Sequence, residues 1–128
     1  MNPHERILTA ITETVVQNCD PDLVMLFGSW AKRTANVYSD VDLLVVGRFG
    51  RPRRLRDADL RDELRRFPLR FDLHLLTPAE LRAAAARPYS YLNTIRGSSQ
   101  CLYRRPGGPD PAVFGFRSSC DPDSAGVS

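Results

Sequence analysis

From Pro3 onward apolar residues return every three or four positions, at Ile7, Leu8, Ile11, Val15 and Val16. That period places them on one side of a helix and predicts an amphipathic first helix over roughly 3–18. Pro21, in "CDPD", ends it. "LVMLF" (Leu23–Phe27) is a continuous apolar run closed by Gly28, which reads as a buried strand. Residues 29–35 have room for one or two helical turns. "DVDLLVVG" (Asp40–Gly47) predicts a second strand.

"RFGRPRR" reads as a loop. Leu55, Leu60, Leu64 and Phe67 mark a second helix over about 54–67, stopped by Pro68. In "LRFDLHLL" (Leu69–Leu76) apolar residues alternate around Asp72 and His74, the period of a third strand. "TPAE" then offers Thr77 as N-cap, Pro78 at the first helical position and Glu80 to complete a capping box. A helix through about Ala86 follows. Residues 88–96 suggest a further short helix, and "SQCLYR" a last strand. The order predicts an α+β (α/β) domain, a small sheet of three to five strands with helices packed mostly on one face. After Pro106 the chain is rich in Pro, Gly, Ser and Asp and loses periodicity. The expected division is therefore a domain over 1–105 and a flexible tail over 106–128.

Length and composition bound the rest. The chain has 128 residues, 42% hydrophobic, enough for one domain with a modest core. No run approaches the ~20 apolar residues of a membrane span. "MNPHERILTA" carries charge and lacks the apolar core of a signal peptide. Cys19, Cys101 and Cys120 are far apart and odd in number, which suits reduced thiols rather than zinc or a disulfide framework. The expected location is the cytoplasm, with no membrane.

The net charge is +3, and Lys32 is the single lysine among 18 basic residues. A bias so uniform reads as genome composition rather than as a nucleic-acid footprint. Arg48 to Arg70 holds nine arginines against four acids. A solvated face explains most of these. Arg51, Arg53 and Arg54, stiffened by Pro52, could instead recruit an acidic partner. No aromatic platform accompanies them, so stable nucleic-acid binding is not expected.

The informative stretch is "GSWAKRTANVYSDVDLLVV", Gly28–Val46. Strand side chains alternate, so Asp40 and Asp42 share one face. Two carboxylates on one face repel, and burying them without a cation costs several kcal/mol. A divalent ion relieves this, and carboxylates are the hard oxygen ligands that Mg²⁺ takes together with substrate phosphates. Gly28 lets a phosphate approach the backbone, and Ser29 adds a hydroxyl where a helix would begin. Asp72, charged inside an apolar strand, could complete a two-metal site or accept a proton. His74 shares its parity and could assist, although a structural histidine is the simpler reading. Trp30 could stack on a base or cover the sheet. Lys32 could touch a phosphate or lie in solvent. Tyr89 and Tyr91 read most simply as core or interface residues.

Gly28-Ser29, ten residues, Asp40-x-Asp42 and an aspartate on the next strand resemble the motif of the minimal nucleotidyltransferases, within the DNA polymerase β-like superfamily. The resemblance covers about residues 5–103. It implies the polymerase β-like fold, with Gly28, Ser29 and Ser39 binding nucleotide. It makes Asp40 and Asp42 metal ligands and Asp72 the third acid, a ligand or base. It implies Mg²⁺-dependent transfer of AMP from ATP to a hydroxyl, and a HEPN ribonuclease toxin as the partner that the chain modifies as an antitoxin. Arg33 departs from the pattern, which commonly has glycine there. A competing reading follows from that departure: a binding module that neutralises its partner by docking alone.

Overall fold

The computed structural model describes residues 3–32, 34–35, 39–87, 99–114 and 116. Helix α1 spans Pro3–Cys19, strand β1 Leu23–Phe27, the single turn α2 Gly28–Ala31 and strand β2 Val41–Val46. A 3-10 turn at Arg53–Leu55 leads to α3, Ala58–Leu64, and β3, Phe71–Leu76. Then come α4, Pro78–Ala85, β4, Gln100–Arg104, and a 3-10 turn at Pro111–Phe114. The expected short helix over 88–96, with Tyr89 and Tyr91, and the departure at Arg33 lie outside the described residues.

The four strands lie in the order β3-β2-β1-β4. β1 is antiparallel to both β2 and β4, whereas β2 and β3 run parallel. A parallel pair needs a crossover, and the Arg53–Leu55 turn with α3 supplies it. Alternation sorts the strands onto two faces. Val24, Leu26, Val41, Leu43, Val45 and Leu75 pack with Leu8, Ile11 and Val15 of α1 and Leu60 and Leu64 of α3. Leu23, Met25, Phe27, Leu44, Val46 and Leu76 face the other way, onto Leu81 of α4, Phe114 and Phe116. α1 and α3 thus cover the first face. α4 and the C-terminal 3-10 turn cover the second.

Three local expectations need correction. The second helix is shorter than its pattern suggested. Leu60 and Leu64 are four apart and both buried, but Leu55 is five residues before Leu60, out of helical step, and is 49% exposed on its 3-10 turn. The segment after Arg105 is not wholly a free tail. Phe114 and Phe116 are 2% and 5% exposed, and Phe116 meets Phe27 with ring centroids 5.6 Å apart. Each buried phenylalanine contributes about 1.5–3 kcal/mol, which outweighs the Pro/Gly composition around it. Arg105 is itself anchored: its guanidinium reaches Asp22 Oδ1 at 3.0 Å and Asp20 Oδ1 at 2.8 Å. Finally, Cys101 is disulfide-bonded rather than reduced. Cys19 is a free thiol whose pKa burial pushes up to about 11, which keeps it unreactive.

The start of α4 forms as its sequence predicts. Glu80 N–H donates to Thr77 Oγ1 at 3.2 Å and Thr77 N–H to Glu80 Oε1 at 2.8 Å, with Pro78 in the first turn. Arg56 adds a second role for Glu80, pairing Nη1 to Oε1 at 2.5 Å and Nη2 to Oε2 at 3.3 Å. The same Arg56 guanidinium donates to Leu75 O at 3.1 Å, so it ties the crossover to β3 and to α4.

Candidate active site

β1 ends where α2 begins, and Gly28 is the joint. Its φ is +72°, a left-handed value that glycine adopts without strain. A Cβ built there would lie 2.7 Å from Asp42 Oδ2. Gly28 is therefore required twice, by its backbone angle and by the carboxylate against it. α2 is one turn long, so the groups it can offer a phosphate are its own free N–H donors and the Ser29 hydroxyl, with little helix dipole behind them. Ser29 O accepts from Thr34 N–H at 2.9 Å, which closes the turn.

Trp30 holds this turn to the rest of the site. It is 7% exposed, belongs to the first core cluster and stacks on His4 at 4.9 Å. Its indole N–H donates to Ser39 O at 3.4 Å, which brings the residue before Asp40 toward α2. It fills the core rather than offering a surface to a base. Lys32 is exposed and caps the turn, its N–H donating to Gly28 O at 3.1 Å.

The parallel register of β2 and β3 sets Asp42 beside Asp72. The Asp42 pKa is raised, first by burial and then by the charges of Asp72 and Asp40. His74 opposes the shift from the same side. Its Nε2 lies 3.5 Å from Asp72 Oδ2.

Asp40 behaves differently. Its Oδ1 takes Arg70 Nε at 2.9 Å, with both side chains at least half exposed. Among the described residues no group of three or more His, Cys, Asp or Glu is gathered as a metal-holding set. Asp42 thus stands beside Asp72, and the charge of Asp40 also reaches Asp42. Asp40 also pairs with Arg70 at the surface. Such surface pairs are worth only about 0–1 kcal/mol. The donor set still fits a hard divalent ion. It is all oxygen, its charges are mutually destabilising, and Gly28 leaves space at Asp42 Oδ2.

Sequence reasoning did not assign Arg70 a partner, counting it only within the arginine-rich stretch. It lies just before β3, where strand alternation carries no signal for a partner on β2.

Residues 9–105 match the family model described as "Polymerase beta, Nucleotidyltransferase". A protein of Methanocaldococcus jannaschii named "putative protein adenylyltransferase" is 35% identical over 95 residues, covering 66% of this chain and 65% of that relative. The chain thus spans a little under two thirds of that relative's length. Among solved structures, a "putative nucleotidyltransferase" from Sulfolobus solfataricus aligns over 82% of this chain and 86% of its own, with TM-score 0.53 at 20% identity. A toxin-antitoxin structure with AMP-PNP aligns over 83% and 79%, with TM-score 0.56 at 20% identity. At that identity these two likenesses bear on the fold. With its family model matched over most of its length, the chain belongs to the polymerase beta nucleotidyltransferase family.

Proposed function

We propose that the chain transfers AMP from ATP to a hydroxyl of a protein partner and releases pyrophosphate. The observation that carries this reading is the side-by-side placement of Asp42 and Asp72, with Gly28 against Asp42. The naming of the archaeal relative supports a protein acceptor. The likeness to a toxin-antitoxin structure supports a toxin as that partner, with this chain as its antitoxin, and the HEPN type is carried by the motif resemblance alone.

In this reading Gly28, Ser29 and Ser39 hold the nucleotide phosphates, and Asp40, Asp42 and Asp72 hold Mg²⁺. Bound there, the metal would supply positive charge for the phosphoryl oxygens. The chain's own residues do the rest. The Gly28 backbone lets the triphosphate lie close to the carboxylates. Asp72, adjusted by His74, is the third ligand or takes the proton from the attacking hydroxyl. The acceptor oxygen bonds to the α-phosphorus, the bond from that phosphorus to the pyrophosphate oxygen breaks, and pyrophosphate leaves with the electron pair.

One observation favours a second reading. Asp40 is engaged by Arg70 rather than by its fellow acids, as in a module that neutralises its partner by docking alone. Intact-mass analysis of proteins that co-purify with the chain, with and without ATP and Mg²⁺, separates the two. Mass gained in steps of one AMP supports transfer. Stable association with no gain supports docking.

A further inference from the structure

β3 is an edge strand, and its outward carbonyls are occupied in a particular way. Phe71 O accepts from Arg61 at 3.2 Å and Leu75 O from Arg56 at 3.1 Å. Those two guanidiniums stop another strand from pairing along the whole edge. Between them lies a cavity of about 420 Å³ lined by Arg53, Arg54, Asp57, Leu73, His74 and Leu75.

Its charge is unbalanced. Asp57 is already paired, its Oδ2 at 2.5 Å from Arg61 Nε. Arg53 and Arg54 are exposed, and neither guanidinium has an ion-pair partner among the described residues. His74 belongs both to this cavity and to the acid cluster, where it faces Asp72. A chain segment seated here would enter beside the group that receives the hydroxyl proton.

We infer that this cavity is the docking site for an acidic segment of the protein that accepts the nucleotide. The inference rests on the protein-acceptor reading above. The acidic side chains answer Arg53 and Arg54, the apolar lining takes an intervening side chain, and the capped carbonyls leave recognition to side chains rather than to strand addition. The site deepens the proposed reaction by giving the acceptor its own anchor, separate from the nucleotide loop at Gly28.

The probe is a fluorescein-labelled tyrosine peptide flanked by glutamates, with a glutamine counterpart, bound without nucleotide and read by anisotropy. Its result is thereby independent of whether transfer occurs. The glutamate peptide should bind on the order of tenfold more tightly. Arg53→Ala with Arg54→Ala should remove that preference, and Arg53→Glu with Arg54→Glu should shift it to a lysine peptide, an outcome that misfolding cannot imitate. Arg6→Ala with Arg65→Ala removes equal charge elsewhere and should leave the preference intact. Equal binding of both peptides by the wild type would overturn the inference. So would equal losses in the two alanine pairs.

Discussion

Asp42 and Asp72 are direct neighbours across the parallel strands β2 and β3, where burial and then the Asp72 charge act on the Asp42 carboxyl. Like charges so placed weaken the metal-free fold. The folded pKa of Asp42 is raised, so its contribution to stability is full below the unfolded value near 3.8 and is lost as pH rises through the folded value. Asp42→Asn removes that repulsion. The variant should melt higher than the wild type in chelator at neutral pH, lose the difference at low pH, and show no nucleotide transfer. A lower Tm at neutral pH would contradict the charge account.

Gly28→Ala tests the joint between the phosphate loop and the carboxylates. The left-handed angle alone costs about 1–2 kcal/mol with a side chain. The added methyl also displaces Asp42 Oδ2, which stands 2.7 Å from its position. Chemical denaturation should show a loss of at least that size, and ATP-dependent transfer should fall with it. A variant with wild-type stability and rate would mean that Gly28 does not abut the site.

The two C-terminal phenylalanines should be structural. Phe114→Ala or Phe116→Ala removes a ring from the second face of the sheet and should cost about 3–5 kcal/mol each. Truncation after Arg105 should expose Phe27 and lower Tm at least as much as either substitution. Unchanged melting after truncation would restore the free-tail expectation.

The Arg56–Glu80 pair sets an acid limit on the fold. Arg56 holds the Glu80 carboxyl at a pKa of about 2, down from 4.5, with Thr77 assisting. A depressed acid stabilises above its unfolded value, so this contribution is present above about pH 4.5 and fades toward pH 2. Glu80→Gln should flatten the stability profile in that window. At neutral pH it should cost about 1–3 kcal/mol, because the buried Arg56 guanidinium loses its counter-charge and one of its two acceptor oxygens. Urea midpoints across the pH range measure both.

What the chain made legible follows from which signals are local. The strand at Leu23–Phe27 and the Thr77–Glu80 capping box depend on neighbours within a few residues, and both stand in the structure. Which strand lies beside β2 is a non-local fact. Periodicity could put Asp72 on a strand but not opposite Asp42, and the resemblance supplied that expectation. Asp40 pairing with Arg70 became visible only once the starts of β2 and β3 were adjacent, with Val41 N–H donating to Arg70 O at 2.8 Å. Phe114 and Phe116 were hidden by the Pro- and Gly-rich residues around them, because two isolated aromatics make no period.

The central claim is that Asp42 and Asp72 serve transfer of the α-phosphoryl group with its nucleoside. The direct measurement incubates the chain and its co-purifying proteins with Mg²⁺ and ATP labelled at either the α- or the γ-phosphate. The account expects protein-bound label from α-labelled ATP, none from γ-labelled ATP, and none from either with Asp42→Asn and Asp72→Asn together. Label from the γ-position, or undiminished α-label in the double variant, would contradict it.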